Sequence, residues 1–205
     1  MRKAFTLAEV LITLGIIGVV AALTMPALIS NYKKKVLLTR IKKFYSAYTQ
    51  AYNMKIANDG ELDVSMLTAI DDPDVATEFF NVNYEPYMKI VEKTKTAKGM
   101  AAALPDGSGL YIRKSNFGSV EPSTSATYIV FCVEYKKCKS INETPMYNFV
   151  DSKETFIFWN GIAPPKLSQN RTNMLNLCKT GDDESCTGLI MYDGWEIKDD
   201  YPWKI

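Results

Sequence analysis

From Phe5 to Ile29 the chain carries one acidic side chain, Glu9, and no basic one. Val10–Leu23 is apolar throughout except for Thr13 and the small Gly15 and Gly18. With its flanks this stretch reaches about 20–25 residues, long enough to cross a bilayer as a helix. Arg2 and Lys3 stand before it; behind it, between Asn31 and Lys43, come Lys33, Lys34, Lys35, Arg40, Lys42 and Lys43. A secretory signal cut after Ala22 and an uncleaved membrane anchor both account for the basic start and the apolar run. Neither accounts for Glu9. A carboxylate within an apolar span costs about 2.5–3.5 kcal/mol on insertion scales, and such residues are usually functional. The bland alternative is a Glu near enough to the membrane edge to be tolerated.

The segment Lys3-Ala4-Phe5-Thr6-Leu7-Ala8-Glu9-Val10-Leu11 resembles the cleavage and methylation signal of type IV pilins and type II secretion pseudopilins. The resemblance covers about 25 residues and rests on a basic leader, a small-residue–Phe junction, an acid and a long apolar run. It implies a cut by prepilin peptidase between Ala4 and Phe5, with N-methylation of the new terminus at Phe5. Ala4 stands where the family usually has Gly. It also implies that Glu9 of one subunit neutralises the terminal amine of a neighbour, since two paired charges in low dielectric cost far less than two unpaired ones. Glu9 would then set subunit register. Gly18 and Pro26 fall where some members of that family loosen the helix; for Gly18, ordinary close packing of membrane helices is the alternative.

Beyond Pro26 apolar or aromatic positions recur at Val36, Leu37, Ile41, Phe44, Tyr45, Tyr48, Ala51, Tyr52 and Ile56, the spacing of a helix with one sticky face. Asn58-Asp59-Gly60 reads as its stop. A helix from Phe5 to Ala57 would be roughly 80 Å long. The organisation expected is a leader at 1–4, a membrane-spanning half at 5–30, an amphipathic half at 31–57 and a head at 58–205. The expected fold is α+β: a long N-terminal spine helix on a small antiparallel β-sheet, pilin-like by resemblance.

In the head, segments 64–70, 74–81 and 84–93 read as short helices broken by Asp71-Asp72-Pro73 and Pro86. Ala101–Leu104 and Leu110–Arg113 flank Pro105-Asp106-Gly107-Ser108-Gly109 and read as a hairpin. Tyr128–Tyr135 and Thr155–Trp159 are strands by their aromatic and β-branched content. The chain from Leu104 through Trp159 resembles, more weakly, the head of many pilin-like proteins. Tyr192, Trp195, Tyr201 and Trp203 near the C-terminus read first as core and second as a partner surface.

Cys132, Cys138, Cys178 and Cys186 all lie outside the apolar run, and an even count in an exported chain points to disulfides. Three connectivities exist. The local one, Cys132–Cys138 with Cys178–Cys186, is preferred because each pair flanks a short polar loop. Gaps of about five and seven residues do not suit zinc, and there is no histidine to help. The second loop resembles the disulfide-bounded C-terminal loops of pilins. Its Asp182-Asp183-Glu184 run reads as a solvated acidic turn in preference to a calcium site, which needs six or more oxygens.

With no histidine, Ser–His and Cys–His catalytic pairs are excluded. With 24 Lys+Arg against 23 Asp+Glu, no overall field favours nucleic acid. The expected role is therefore structural: a pilin or pseudopilin subunit of a type IV pilus or secretion pseudopilus, without enzyme activity, cofactor or metal. The partners expected are other copies, related minor pilins, prepilin peptidase, the inner-membrane assembly platform and membrane lipid, with DNA disfavoured. The rival reading is a membrane-anchored periplasmic binding module that does not polymerise. Counted by the positive-inside rule, the six basic residues behind the span place the head in the cytoplasm. The cysteines and the resemblance place it outside, with the N-terminus cytoplasmic in the inner membrane before assembly and the head in a periplasmic or surface filament afterwards.

Overall fold

A computed structural model of the chain describes residues 6–63, 65, 69, 71–114, 127–141, 154–159 and 170–202. It is α+β, with one long N-terminal helix and a small antiparallel sheet. Helix α1 runs Leu7–Asp59. It ends where the sequence stops it: Gly60 takes a positive φ of 84° and its N–H bonds the Ile56 carbonyl at 2.9 Å. Pro26 is accommodated inside the helix. The chain divides into two compact units, one ending at Leu37 and one beginning at Leu38.

In the second unit, Ile41, Phe44, Tyr48, Ala51 and Lys55 of α1 are buried at spacings of three and four, one stripe of the helix. Phe44 stacks on Phe131 at 4.8 Å and meets Phe158 at 5.5 Å, while Tyr48 stacks on Tyr84 at 5.4 Å. Each fully buried aromatic of this kind contributes roughly 2–3 kcal/mol. Lys55 occupies the stripe because its stem can be buried while its ammonium reaches Asp59 one turn on.

The sheet is a five-stranded meander in the order β1-β2-β3-β4-β5: β1 Glu92–Lys95, β2 Met100–Ala103, β3 Gly109–Lys114, β4 Thr127–Cys132 and β5 Thr155–Trp159. Register aligns Leu110 with Phe131 and Phe131 with Phe156, so the α1 aromatics rest on that face. Ala101, Tyr111, Val130 and Ile157 share the opposite face with Cys132, Cys138 and Ile141. Both faces are covered, which is why β2, β3 and β4 are buried along their whole length. The β5 edge is protected by α5 (Asp183–Tyr192), whose Thr187 hydroxyl accepts the Ile157 N–H at 3.2 Å. The other edge, β1, is charged and short, the usual defence against stray strand pairing.

Several expectations change. The helix expected over 84–93 is absent. Pro86 sits in a single 3-10 turn, Glu85–Tyr87, and Glu92–Lys95 pairs with β2, so sheet pairing outweighs local helix preference. The strand expected to reach Tyr135 stops at Cys132. Six more extended residues would cover about 20 Å, whereas the Cys132 and Cys138 Cα atoms lie 5.7 Å apart, so the chain folds back into α3, Tyr135–Lys139. The helix expected over 74–81 is α2, Pro73–Asn83, capped by Asp72 with Pro73 in the first turn. Only residues 65 and 69 of the segment 64–70 lie among the described residues.

The expected polar loop between Cys178 and Cys186 is mostly helix. α4 (Arg171–Lys179) and α5 meet in the tight turn Thr180-Gly181-Asp182, with Gly181 at φ +92°, and both cysteines are buried. Of the C-terminal aromatics, Tyr201 is core, Trp195 packs on Tyr45 at 5.1 Å, and Tyr192 is exposed. Trp203 lies outside the described residues.

Candidate functional site

The feature that needs a functional account is the first unit. By length and composition its helix can cross a membrane, and none of its apolar window is buried. Leu7, Leu11, Ile12, Leu14, Ile16, Ile17, Val19, Leu23 and Leu28 are all exposed. Folded soluble monomers rarely show so continuous an apolar surface, and one this large marks a membrane or partner contact.

The polar groups in the stretch are satisfied by the helix itself. The Thr13 hydroxyl donates to the Val10 carbonyl at 3.0 Å and the Thr24 hydroxyl to the Val20 carbonyl at 2.9 Å. A medium without water requires this, because an unpaired hydroxyl there has no other partner. Gly15 and Gly18 face open space, with no neighbouring atom within 4 Å of where a Cβ would stand. Gly18 and Pro26 thus both lie within a continuous α1.

Glu9 is held by Thr6. The Thr6 N–H and hydroxyl both donate to Glu9 Oε2 at 2.8 Å, and the Glu9 N–H approaches the Thr6 hydroxyl oxygen at 3.3 Å. This is a reciprocal cap, in which two of the orphan N–H groups at the start of the helix are met by side chains. The pattern Thr6-x-x-Glu9 spells it in the sequence, and reading Glu9 only as a charge in a span misses it. The carboxylate also sits at the positive end of the helix dipole. The expected cleavage and methylation positions, Ala4 and Phe5, lie outside the described residues.

The cysteines pair locally, Cys132 with Cys138 and Cys178 with Cys186. The first ties α3 to the end of β4; the second locks α4 to α5. Disulfides belong to oxidising compartments.

A second cluster, not anticipated from sequence, closes the C-terminal segment. Arg171 Nε donates to Asp193 at 2.7 Å, and its two terminal nitrogens reach Asp200 at 2.7 and 2.8 Å. Lys198 adds a contact to Asp193 at 2.8 Å. The Asp193 side chain is only 3% exposed. The Arg171 hydrogen bonds hold its carboxyl below the usual range against the opposing effect of burial, and Lys198 helps. With its charge matched by two cations, Asp193 is a structural clasp and not a cation ligand. Among the described residues no group of three or more Cys, Asp or Glu side chains is placed to hold a metal ion, and Asp182 accepts a hydrogen bond from Ser185 instead.

A half-open groove of about 380 Å³ lies in the second unit between Phe44, Ala47, Tyr87, Met88 and Leu104, with the Lys43–Asp106 ion pair at its rim. Burial pushes the Asp106 carboxyl up, but the Ser108 hydroxyl and Lys43 outweigh it and leave it low. Two buried phenols, Tyr84 and Tyr111, are shifted upward, chiefly by burial, Tyr111 to about 12. Both stay protonated at neutral pH and serve packing; neither is poised as a base.

Residues 27–205 match the model of a family of unknown function, DUF6613, and the chain belongs to that family. The apolar stretch before residue 27 lies outside the matched segment. No curated protein and no solved structure matches the chain.

Proposed function

We propose that this DUF6613 member is a structural subunit of pilin or pseudopilin type, held in the inner membrane by the first half of α1. In this reading prepilin peptidase cuts between Ala4 and Phe5, Phe5 is N-methylated, and copies polymerise by packing the apolar stretch in a filament core. The supporting observation is the exposed apolar helix in which the Thr13 and Thr24 hydroxyls bond back to its own backbone. It is joined to the signal-like Lys3–Leu11 segment and to two disulfides in the folded unit. Glu9 is the registry group: released from Thr6, its carboxylate pairs with the Phe5 amine of a neighbour. Related minor subunits and an inner-membrane assembly platform are the other partners, and the folded unit lies on the periplasmic or outer side. Gly18 and Pro26 are the places where α1 loosens during assembly.

One observation favours a second reading. The Thr6–Glu9 cap gives Glu9 a role without any neighbour, as a membrane-anchored periplasmic binding module would require. Glu9→Gln separates the two, because Gln at this position keeps the cap but cannot neutralise an amine. Under the filament reading, Glu9→Gln stays in the membrane and filament yield falls at least tenfold. Wild-type yield from Glu9→Gln overturns the registry role, whereas absence of filaments from the wild type itself leaves the anchored module.

A further inference from the structure

We propose that the groove beside Phe44 binds a small organic acid of the fatty-acid type, its apolar tail against Phe44 and Met88 and its carboxylate at the ammonium groups of Lys43 and Lys89. The site lies wholly within the second unit, so it stands whichever role the apolar half of α1 plays. Three observations carry it.

The first is a pre-formed cavity. Three separate segments wall it: α1 at Phe44 and Ala47, the turn at Tyr87 and Met88, and the β2–β3 turn from Leu104 to Ser108. Its volume of about 380 Å³ suits a small molecule, since such sites run from about 300 to 1,000 Å³. Each wall is pinned. The Leu104 N–H donates to the Ser108 carbonyl at 2.9 Å and the Tyr135 N–H to the Gly107 carbonyl at 3.0 Å, which fixes the β2–β3 turn against α3. Asn58 Nδ2 of α1 donates to the Tyr87 hydroxyl at 3.0 Å, and the Tyr87 N–H donates to the Tyr84 carbonyl at 3.0 Å. Phe44 is held by the rings of Phe131 and Phe158. A cavity that needs no rearrangement loses little to ordering when it is filled.

The second is an apolar floor under a polar mouth. Phe44 and Met88 line the groove yet are only 2% and 9% exposed, so a tail laid on them leaves water. Each methylene buried there is worth about fourfold in affinity. The mouth carries Lys43, whose side chain is 66% exposed, and the exposed Lys89. The third is a charge left over. Asp106 is the one acid lining the groove among the described residues, and both its oxygens are engaged. Oδ1 accepts the Ser108 N–H at 3.2 Å and the Ser108 hydroxyl, and Oδ2 accepts the Lys43 ammonium at 3.0 Å. Lys89 has no hydrogen bond or ion pair with any described residue. Two cations thus face one satisfied anion, which calls for a single negative charge on the occupant. A protein partner typically covers about 800 Å² on each side. Among the described residues, the large exposed apolar side chains of the second unit, Met54, Val82, Val91 and Tyr192, all lie off the groove lining. The groove is therefore an isolated apolar pit, which favours a small molecule over a protein face.

The test uses the full chain in phosphatidylcholine nanodiscs, free of detergent tails that would compete, with methionine labelled at its methyl carbon for NMR and the Met88 signal identified by Met88→Leu. Affinities refer to ligand free in the buffer. Octanoate should shift the Met88 methyl resonance saturably. Octanol, with the same tail and no charge, should bind about tenfold more weakly, and octylammonium more weakly still. Lys89→Gln should weaken octanoate about fivefold and leave octanol unchanged, a difference that a merely structural lysine would not produce. Ala47→Phe, which fills the groove from α1, should abolish binding of both; circular dichroism checks its fold, and the Lys89→Gln comparison decides where that variant does not fold. Absence of a saturable shift, equal binding of octanoate and octanol, unchanged octanoate affinity in Lys89→Gln, or octanoate binding retained by folded Ala47→Phe each overturns the proposal. So does a Met88 shift that follows protein concentration without octanoate, which assigns the groove to a second copy. Displacement of octanoate by an uncharged apolar peptide at lower concentration also overturns it and assigns the groove to a protein segment.

Discussion

The two units use the same residue types in opposite ways. Ile16 is 60% exposed and Ile41 is 1% exposed, although both lie on α1; Leu23 is 75% exposed where Leu110 in β3 is 1% exposed. The second unit is complete in itself. Its sheet is covered on both faces, one edge is closed by Thr187 and the other charged, and its C-terminal segment is clasped by Arg171. The first unit is satisfied along its backbone and at the Thr13 and Thr24 hydroxyls, and its apolar surface is exposed. Stability of the second unit should therefore be intrinsic, and that of the first should depend on surroundings.

The largest break in this contrast is Phe44→Ala, which empties the contact with Phe131 and Phe158 and should lower stability by about 3–5 kcal/mol. Ile16→Ala should leave thermal unfolding of the second unit unchanged; both are checked by calorimetry of the full chain in detergent. Next comes Cys178→Ser/Cys186→Ser, which frees the α4–α5 hairpin. The chain-entropy estimate for so short a loop is about 2–3 kcal/mol, read as a lower midpoint in denaturant with proteolysis beginning near Gly181.

Arg171→Ala should cost roughly 1–2 kcal/mol, because the clasp is charge-assisted but partly open to solvent. It carries a pH signature. The folded Asp193 carboxyl lies below its ordinary value of 3.8, so its contribution is complete above that pH and disappears as pH falls through the folded value. The wild type should lose stability below about pH 4, and Asp193→Asn should lose correspondingly less over the same range, as seen by near-ultraviolet circular dichroism. The smallest effect is Thr6→Ala, worth about 1 kcal/mol at the first turn of α1. Faster amide exchange should be confined to residues near Leu7, with the second unit unaffected.

Much of the fold was legible because it is local. The apolar run and its amphipathic continuation define α1, Gly60 marks its end, Asp106-Gly107 marks the β2–β3 turn, and Thr-Phe-Ile-Phe-Trp is β5. The local disulfides follow from chain proximity. What escaped is tertiary or double-valued. Glu92–Lys95 is polar and becomes a strand only because β2 offers it a partner. Arg171 meets Asp193 and Asp200 across more than twenty residues, a distance no periodicity reports. α4 and α5 hide inside a segment whose cysteines invite a loop reading. At the candidate site the exposed apolar surface and the solitary Glu9 were legible, but the Thr6 cap was overlooked because a charge in an apolar run draws attention to charge and away from backbone donors.

The central claim is that the apolar half of α1 is retained and brings copies together. Intact-mass analysis of membrane-extracted protein after in-membrane cross-linking tests it most directly. The account predicts a chain beginning with an N-methylated Phe5, in a ladder of self-linked multimers joined through the Leu7–Leu28 stretch. A chain shortened past Ala22, or one still beginning at Met1 and recovered only as monomer, would contradict it.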